Sequence, residues 1–156
     1  KLLFMGQDFG QWHEWDEKVA LDWYLTDEEL HADLLHYVRD LLHLYQKYPA
    51  LYRLDNDWNG FQWINANDGD RSIFSFIRRD ETGKRNLLFV INFTPMERAD
   101  YRVGVPKRGN YSLILTAKDG LLKKSIPYRA KKGECDGQPY SVSYPLPPYG
   151  TAVFRF

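Results

Sequence analysis

Three tryptophans, Trp12, Trp15 and Trp23, share one short stretch of the chain with Gln11, Glu14 and Asp22. Indole rings offer flat apolar faces, while carboxylates and amides accept and donate directed hydrogen bonds. That mixture suits a ligand whose rim is hydroxylated and whose faces are C–H, which describes a sugar ring. Asp8, Glu14, Asp16 and Asp22 also supply enough carboxyl groups for a glycosidic pair. The same tryptophans equally suit packing of the stretch onto a larger body, and the carboxylates equally suit holding a loop in shape.

Other chemistries find little support. No P-loop, dinucleotide glycine fingerprint or zinc spacing occurs. His31, His36 and His43 fall on a helical segment with no evident third ligand, so no metal site is expected and no cofactor is called for. Cys135 lies between Glu134 and Asp136, an acidic setting that does not favour a thiolate.

The elements that must position these residues read as follows. Leu2-Leu3-Phe4-Met5 is a continuous apolar run ending at Gly6, which suits a strand buried on both faces. Lys1 therefore opens inside what reads as a strand, as expected if a larger domain precedes it. Residues 6 to 25 read as a long irregular connection, a length usually tied to function. A helix follows. Thr26 and Glu29 have capping-box spacing, acidic residues cluster at its start, and Leu30, Leu34, Val38, Leu41 and Tyr45 recur on one face up to Pro49. Docking of this stripe on the rest of the chain, or its burial in an oligomer, is the expectation, since an exposed apolar face invites association.

From residue 50 the pattern becomes short β-branched and aromatic runs separated by turn clusters. Strands are expected at 61–64, 72–79, 87–93, 101–105, 111–116, 141–146 and 151–156, forming an antiparallel sandwich. Residues 117–140 carry no clear pattern, and Lys123, Lys124, Lys131 and Lys132 read as solvated loop charges. The fold class is thus mainly β: a sandwich over 51–156, preceded over 1–50 by a strand, loop and helix that read as the closing unit of a larger α/β domain, as the last unit of a (β/α)8 barrel would be. In such barrels the loops after the strands build the active site, which would place Gln11, Trp12, Glu14, Trp15, Asp22 and Trp23 beside a substrate cleft.

The totals agree with a globular protein. The chain has 156 residues, is 44% apolar and 16% aromatic, and balances 21 basic against 21 acidic residues. That balance offers no long-range attraction to nucleic acid or anionic membrane. The apolar runs are too short to span a bilayer, and one cysteine cannot form an internal disulfide. A soluble cytoplasmic protein is expected.

The motifs also carry a resemblance. KLLFMGQDFGQWHEW, followed by Leu21-Asp22-Trp23, resembles the eighth barrel strand and loop of bacterial-type 1,4-alpha-glucan (glycogen) branching enzymes of the alpha-amylase superfamily. Val38-Arg39-Asp40-Leu41 through Pro49-Ala50-Leu51, Gly60-Phe61-Gln62-Trp63-Ile64, Ser72 to Arg79, Asn92-Phe93-Thr94-Pro95, Tyr101 to Pro106 and Leu146-Pro147-Pro148-Tyr149-Gly150 continue it in order. Asp8 stands where the family usually has Glu, and residues 117–137 lack its usual Gly-Gly-Ser stretch. The resemblance implies an enzyme that cleaves α-1,4 linkages and transfers the freed segment to form α-1,6 branches, a retaining transfer through a glycosyl-enzyme. It also implies that the catalytic carboxylates lie on earlier barrel strands absent here. No catalytic residue is therefore assigned, and this chain alone is expected to be inactive and mainly structural. α-Glucan is the expected partner, met through the parent enzyme and its missing barrel. The alternatives are a carbohydrate-binding sandwich module, or the C-terminal part of a debranching enzyme or trehalose-releasing hydrolase.

Overall fold

The computed structural model describes residues 2–156, and Lys1 lies outside the described residues. The chain divides into two units, Lys1–Gln46 and Lys47–Phe156.

In the first unit, residues 2–5 do not form the expected strand. They are irregular, with Leu2 90% and Phe4 51% exposed. A strand apolar on both faces is held by hydrogen-bonded neighbours and covering layers, and no described residue pairs with this run. Gly6 then takes a positive φ of 81°, and its carbonyl accepts from Gln11 N at 3.0 Å. The closure is tight: a Cβ on Gly6 would lie 2.8 Å from that of Gln11. After the loop, a 3-10 turn at Trp23–Asp27 leads into helix α1, Glu29–Lys47.

The capping box does not form. Thr26 lies in the 3-10 turn, where its hydroxyl donates to Trp23 O at 2.7 Å; the helix begins too late for Thr26 to serve as its cap. Glu29 does stand in the first turn and Lys47 in the last, both favourable to the helix dipole. Pro49, in the following 3-10 turn, ends the helix where expected. The apolar stripe is open: Leu30 is 82% exposed and Leu34 and Leu41 38% each, and only Leu44 is buried.

The second unit is a sandwich of nine antiparallel strands: β1 Phe61–Asp68, β2 Ile73–Arg78, β3 Leu87–Asn92, β4 Arg98–Val105, β5 Asn110–Thr116, β6 Gly120–Arg129, β7 Lys131–Cys135, β8 Gln138–Leu146 and β9 Thr151–Arg155. One sheet has the order β1-β2-β3-β9-β5-β6 and the other β4-β8-β7. Period-two alternation explains the layering. In β2, Ile73, Ser75 and Ile77 are buried while Phe74, Phe76 and Arg78 are half-buried. Val90, Val103, Val105, Leu113, Val142, Leu146, Ala152 and Phe154 join Ile73 and Ile77 in one core. The last strand, β9, inserts between β3 and β5, so the C-terminal residues are central to the larger sheet.

The expected strands are all present, with ends moved by a few residues. The correction falls at 117–140, which holds β6, β7 and the start of β8. Lys123, Lys124, Lys131 and Lys132 stand on these strands rather than in a loop. Both strands lie at sheet edges, where solvated lysines are usual and apolar alternation is weak.

Candidate functional site

Gln11 is the organiser of the aromatic loop. Its Oε1 accepts from Asp22 N at 2.9 Å, and its Nε2 donates to His13 O at 2.8 Å. Asp22 Oδ2 in turn meets His13 Nδ1 at 2.7 Å. The amide thus ties the beginning of the loop to its end, and the Asp22 side chain, 19% exposed, is spent on the same closure. Gln7 closes the preceding turn by accepting from Phe4 N at 2.9 Å.

The tryptophans point to different neighbours. Trp23 stacks on Phe9 with centroids 5.2 Å apart, Phe9 itself being fully buried. Trp15 meets Phe4 edge-to-face at 5.7 Å. Trp12 lies 5.7 Å from the ring of His31, whose Nδ1 donates to Phe9 O at 2.7 Å. Even so, 74% of Trp12, 37% of Trp15 and 57% of Trp23 remain exposed. Gln11, Glu14 and Trp15 line a depression of about 350 Å³ with Phe4 and His13. Trp12 lines a separate one of about 490 Å³ with Tyr24 and His31. Asp22 and Trp23 line neither. Of the six residues singled out, the structure therefore brings three together and gives two others, Gln11's partner Asp22 and Phe9's partner Trp23, supporting contacts.

His13 and Phe9, which residue type and spacing do not single out, also hold this loop. The signal for His13 was its place between two tryptophans. Phe9 gave none, because a single apolar residue in a polar loop reads as noise until its burial is known. Among the described residues no cluster of three or more His, Cys, Asp or Glu side chains could hold a metal ion.

A second aromatic surface lies on the outer face of the larger sheet. Trp63, Phe76 and Phe89 stand directly opposite one another on β1, β2 and β3, with centroids 5.7 Å and 4.8 Å apart. Phe61 stacks on Phe76 at 5.2 Å, and Phe93 meets Phe74 at 5.7 Å. Cross-strand aromatic pairs stabilise a sheet, yet Trp63 is 51% and Phe93 60% exposed. Nearby, Trp58 is 94% exposed. It lines a depression of about 390 Å³ with Asp55, Asn56, Asp57, Phe61 and Arg78. Asp55 and Arg78 form an ion pair there, and Asp57 caps the 3-10 turn carrying Trp58 by accepting from Asn59 N at 2.8 Å.

An antiparallel all-β domain preceded by a helix and an aromatic loop is the class that these features define. Residues 63–156 match the family described as alpha amylase, C-terminal all-beta domain, and the chain belongs to that family. Its relatives include proteins named 1,4-alpha-glucan branching enzyme GlgB. The one from Butyrivibrio fibrisolvens is 55% identical over all of this chain and 25% of its own length. Those from Aquifex aeolicus and Synechococcus elongatus are 39% and 42% identical over 99% of this chain, which covers 25% and 21% of their lengths. The chain spans about a quarter of the length of these relatives and corresponds to their C-terminal part. No described helix is long and apolar enough to cross a membrane.

Proposed function

We propose that this chain acts as the C-terminal part of a 1,4-alpha-glucan branching enzyme, which cleaves α-1,4 linkages and transfers the segment to form α-1,6 branches in glycogen. The observation that carries the reading is the 55% identity to a branching enzyme along the entire chain, loop and helix included. In this reading residues 1–50 complete the catalytic barrel as its last strand, loop and helix, and residues 51–156 are the mainly structural sandwich domain that follows it in the chain. Residues 2–5 take up strand form only beside the preceding barrel strands, whose hydrogen bonds they need. Gln11 and Asp22 fix the loop, while Trp12, Glu14 and Trp15 face the glucan cleft and Trp23 supports the loop through Phe9. The catalytic carboxylates come from the preceding barrel, so this chain alone is silent. The parent acts in the cytoplasm, without nucleic acid or a membrane as partner.

The test is to exchange this chain for the corresponding segment of the Butyrivibrio enzyme and follow branching by the iodine colour of amylose. Branching by the chimaera, with none from the chain alone, supports the reading. A folded chimaera without activity, or cleavage of α-glucan by the chain alone, overturns it.

A second reading is favoured by the exposed Trp58 and Trp63. Flat indole faces beside amide and carboxylate groups suit a glucan strand, so the sandwich also serves as a glucan-holding surface. Quenching of tryptophan fluorescence by maltoheptaose that disappears in Trp63→Ala supports it, and unchanged fluorescence at millimolar sugar removes it.

A further inference from the structure

At the end of the sandwich where the chain leaves β6 for β7, it crosses from one sheet to the other. Ala130 marks the crossing: it is 5% exposed, and its N–H donates to Gly109 O at 2.9 Å. That bond ties the crossing to the β4–β5 turn. Arg108 from the turn, Arg129 and Lys131 on either side of Ala130, and Lys132 with Tyr140 then line a cavity of about 580 Å³. Lys132 on β7 stands directly opposite Tyr140 on the central strand β8.

The charge around this cavity is one-sided. Four of its six lining residues are cationic and none is acidic. The chain as a whole carries 21 acidic residues against 21 basic ones, so carboxylates were available to neutralise the group. Among the described residues, none of the four cations makes an ion pair or a side-chain hydrogen bond. All four are exposed, so water screens their mutual repulsion, and an anion seated among them would gain from several positive charges at once. Arginine forks and lysine ammonium groups are together the usual receptors for phosphate oxygens. A long nucleic acid would call for a basic stripe along a face, whereas these cations ring one concavity. The cavity exceeds what a bare phosphate fills. Its remaining wall is the half-buried Tyr140 ring, packed on the core, with a hydroxyl that bonds to no described residue.

We propose that this cavity is a binding site for a phosphate monoester carried on a sugar. The cations hold the phosphate, and the ring and hydroxyl of Tyr140 receive the sugar. The competing account is that Lys131 and Lys132 merely keep the edge strand β7 from pairing with other chains, which requires no ligand and no contribution from Arg108 or Arg129.

Calorimetric titration of the 156-residue chain with glucose 6-phosphate, inorganic phosphate, glucose and ADP, at about 0.1 M salt, separates the accounts. Saturable one-to-one binding of glucose 6-phosphate is expected, with inorganic phosphate weaker and glucose silent. The double variant Arg129→Gln with Lys132→Gln, its circular dichroism unchanged, should weaken binding about tenfold or more. Tyr140→Phe, which keeps the packing, should narrow the preference for the sugar phosphate over inorganic phosphate. No saturable binding of either phosphate overturns the proposal, as does binding that survives the double variant. Tighter binding of ADP than of glucose 6-phosphate overturns the sugar assignment.

Discussion

Gly104, on β4, passes under the turn between β7 and β8 so closely that a Cβ there would lie 2.1 Å from Cys135 O. Asp136, at a positive φ of 50°, locks that crossing. Its Oδ2 accepts from Gly104 N at 2.8 Å, and its Oδ1 accepts from Asn65 Nδ2 at 2.9 Å on β1 of the other sheet. Asp136→Ala leaves both donors without their acceptor and should cost about 1–3 kcal/mol, read as a lower urea midpoint. Gly104→Ala displaces backbone and should cost more. The same surroundings govern Cys135. Burial first, then the charge and hydrogen bond of Asp136, push its thiol up to about 11, against the weaker opposing pull of Arg102 and Arg71. The thiolate is the reactive form, so iodoacetamide should label the folded chain at pH 8 far more slowly than the urea-unfolded chain. Equal rates would mean that Cys135 lacks this environment.

Helix α1 and the strands differ in how well pattern predicts burial. Leu30 opens the apolar stripe and is 82% exposed, whereas Leu44, beside the stripe's last member Tyr45, is 3% exposed. Leu44→Ala should therefore cost about 2–5 kcal/mol, and Leu30→Ala less than about 0.5 kcal/mol, in paired thermal melts of the two variants. Similar losses would show that the stripe is covered after all. Periodicity reveals that a segment is amphipathic and says nothing about what lies against it. The seven sandwich strands were legible because each has a strong β-branched or aromatic run bounded by turn residues, as in Ile73–Arg78. β6 and β7 were not, because edge strands need no apolar alternation: Lys123-Lys124 and Lys131-Lys132 are compatible with pairing on one side and solvent on the other. The run at 2–5 misled for the opposite reason. Its composition suits a buried strand, but strand form comes from hydrogen bonds to neighbours, and composition does not supply them. At the site, residue types mark out the aromatic loop, while its division into two depressions depends on which neighbours Trp12 and Trp15 meet in the fold, which composition does not supply.

At the scale of the whole molecule, the sandwich closes over tyrosine hydroxyls as well as aliphatic side chains, and this gives its stability a particular pH dependence. Tyr101, Tyr111 and Tyr144 are 3%, 1% and 6% exposed. Burial raises the pKa of all three above the ordinary 10.0, that of Tyr111 to about 12. For Tyr101 the charges of Asp136 and Asp68 add to burial; for Tyr111 the backbone N–H of Lys107, which donates to the phenol oxygen at 3.4 Å, opposes it. The sign follows from linkage. The folded state holds these protons more tightly than the unfolded chain, so their contribution is fully present below pH 10 and is lost as the pH rises through the folded values. Tyr111 alone accounts for on the order of 2 kcal/mol across that window. Asp80 works at the other end. Burial would raise its carboxyl, but the Thr82 hydroxyl and the N–H groups of Arg85, Gly83 and Lys84 overcome this and hold it below the usual range. Its contribution is present above pH 4 and lost as the pH falls through the lowered value. Urea midpoints should therefore form a plateau from about pH 5 to 9.5 and fall steeply between pH 10 and 12. Tyr111→Phe should flatten the alkaline fall while lowering the plateau only by the lost hydrogen bond, about 1 kcal/mol. An alkaline limb that is unchanged in Tyr111→Phe would show that the proton of Tyr111 does not set it, while a limb that flattens in Tyr111→Phe and flattens further when Tyr144→Phe is added would assign the loss to the tyrosines that the two sheets enclose.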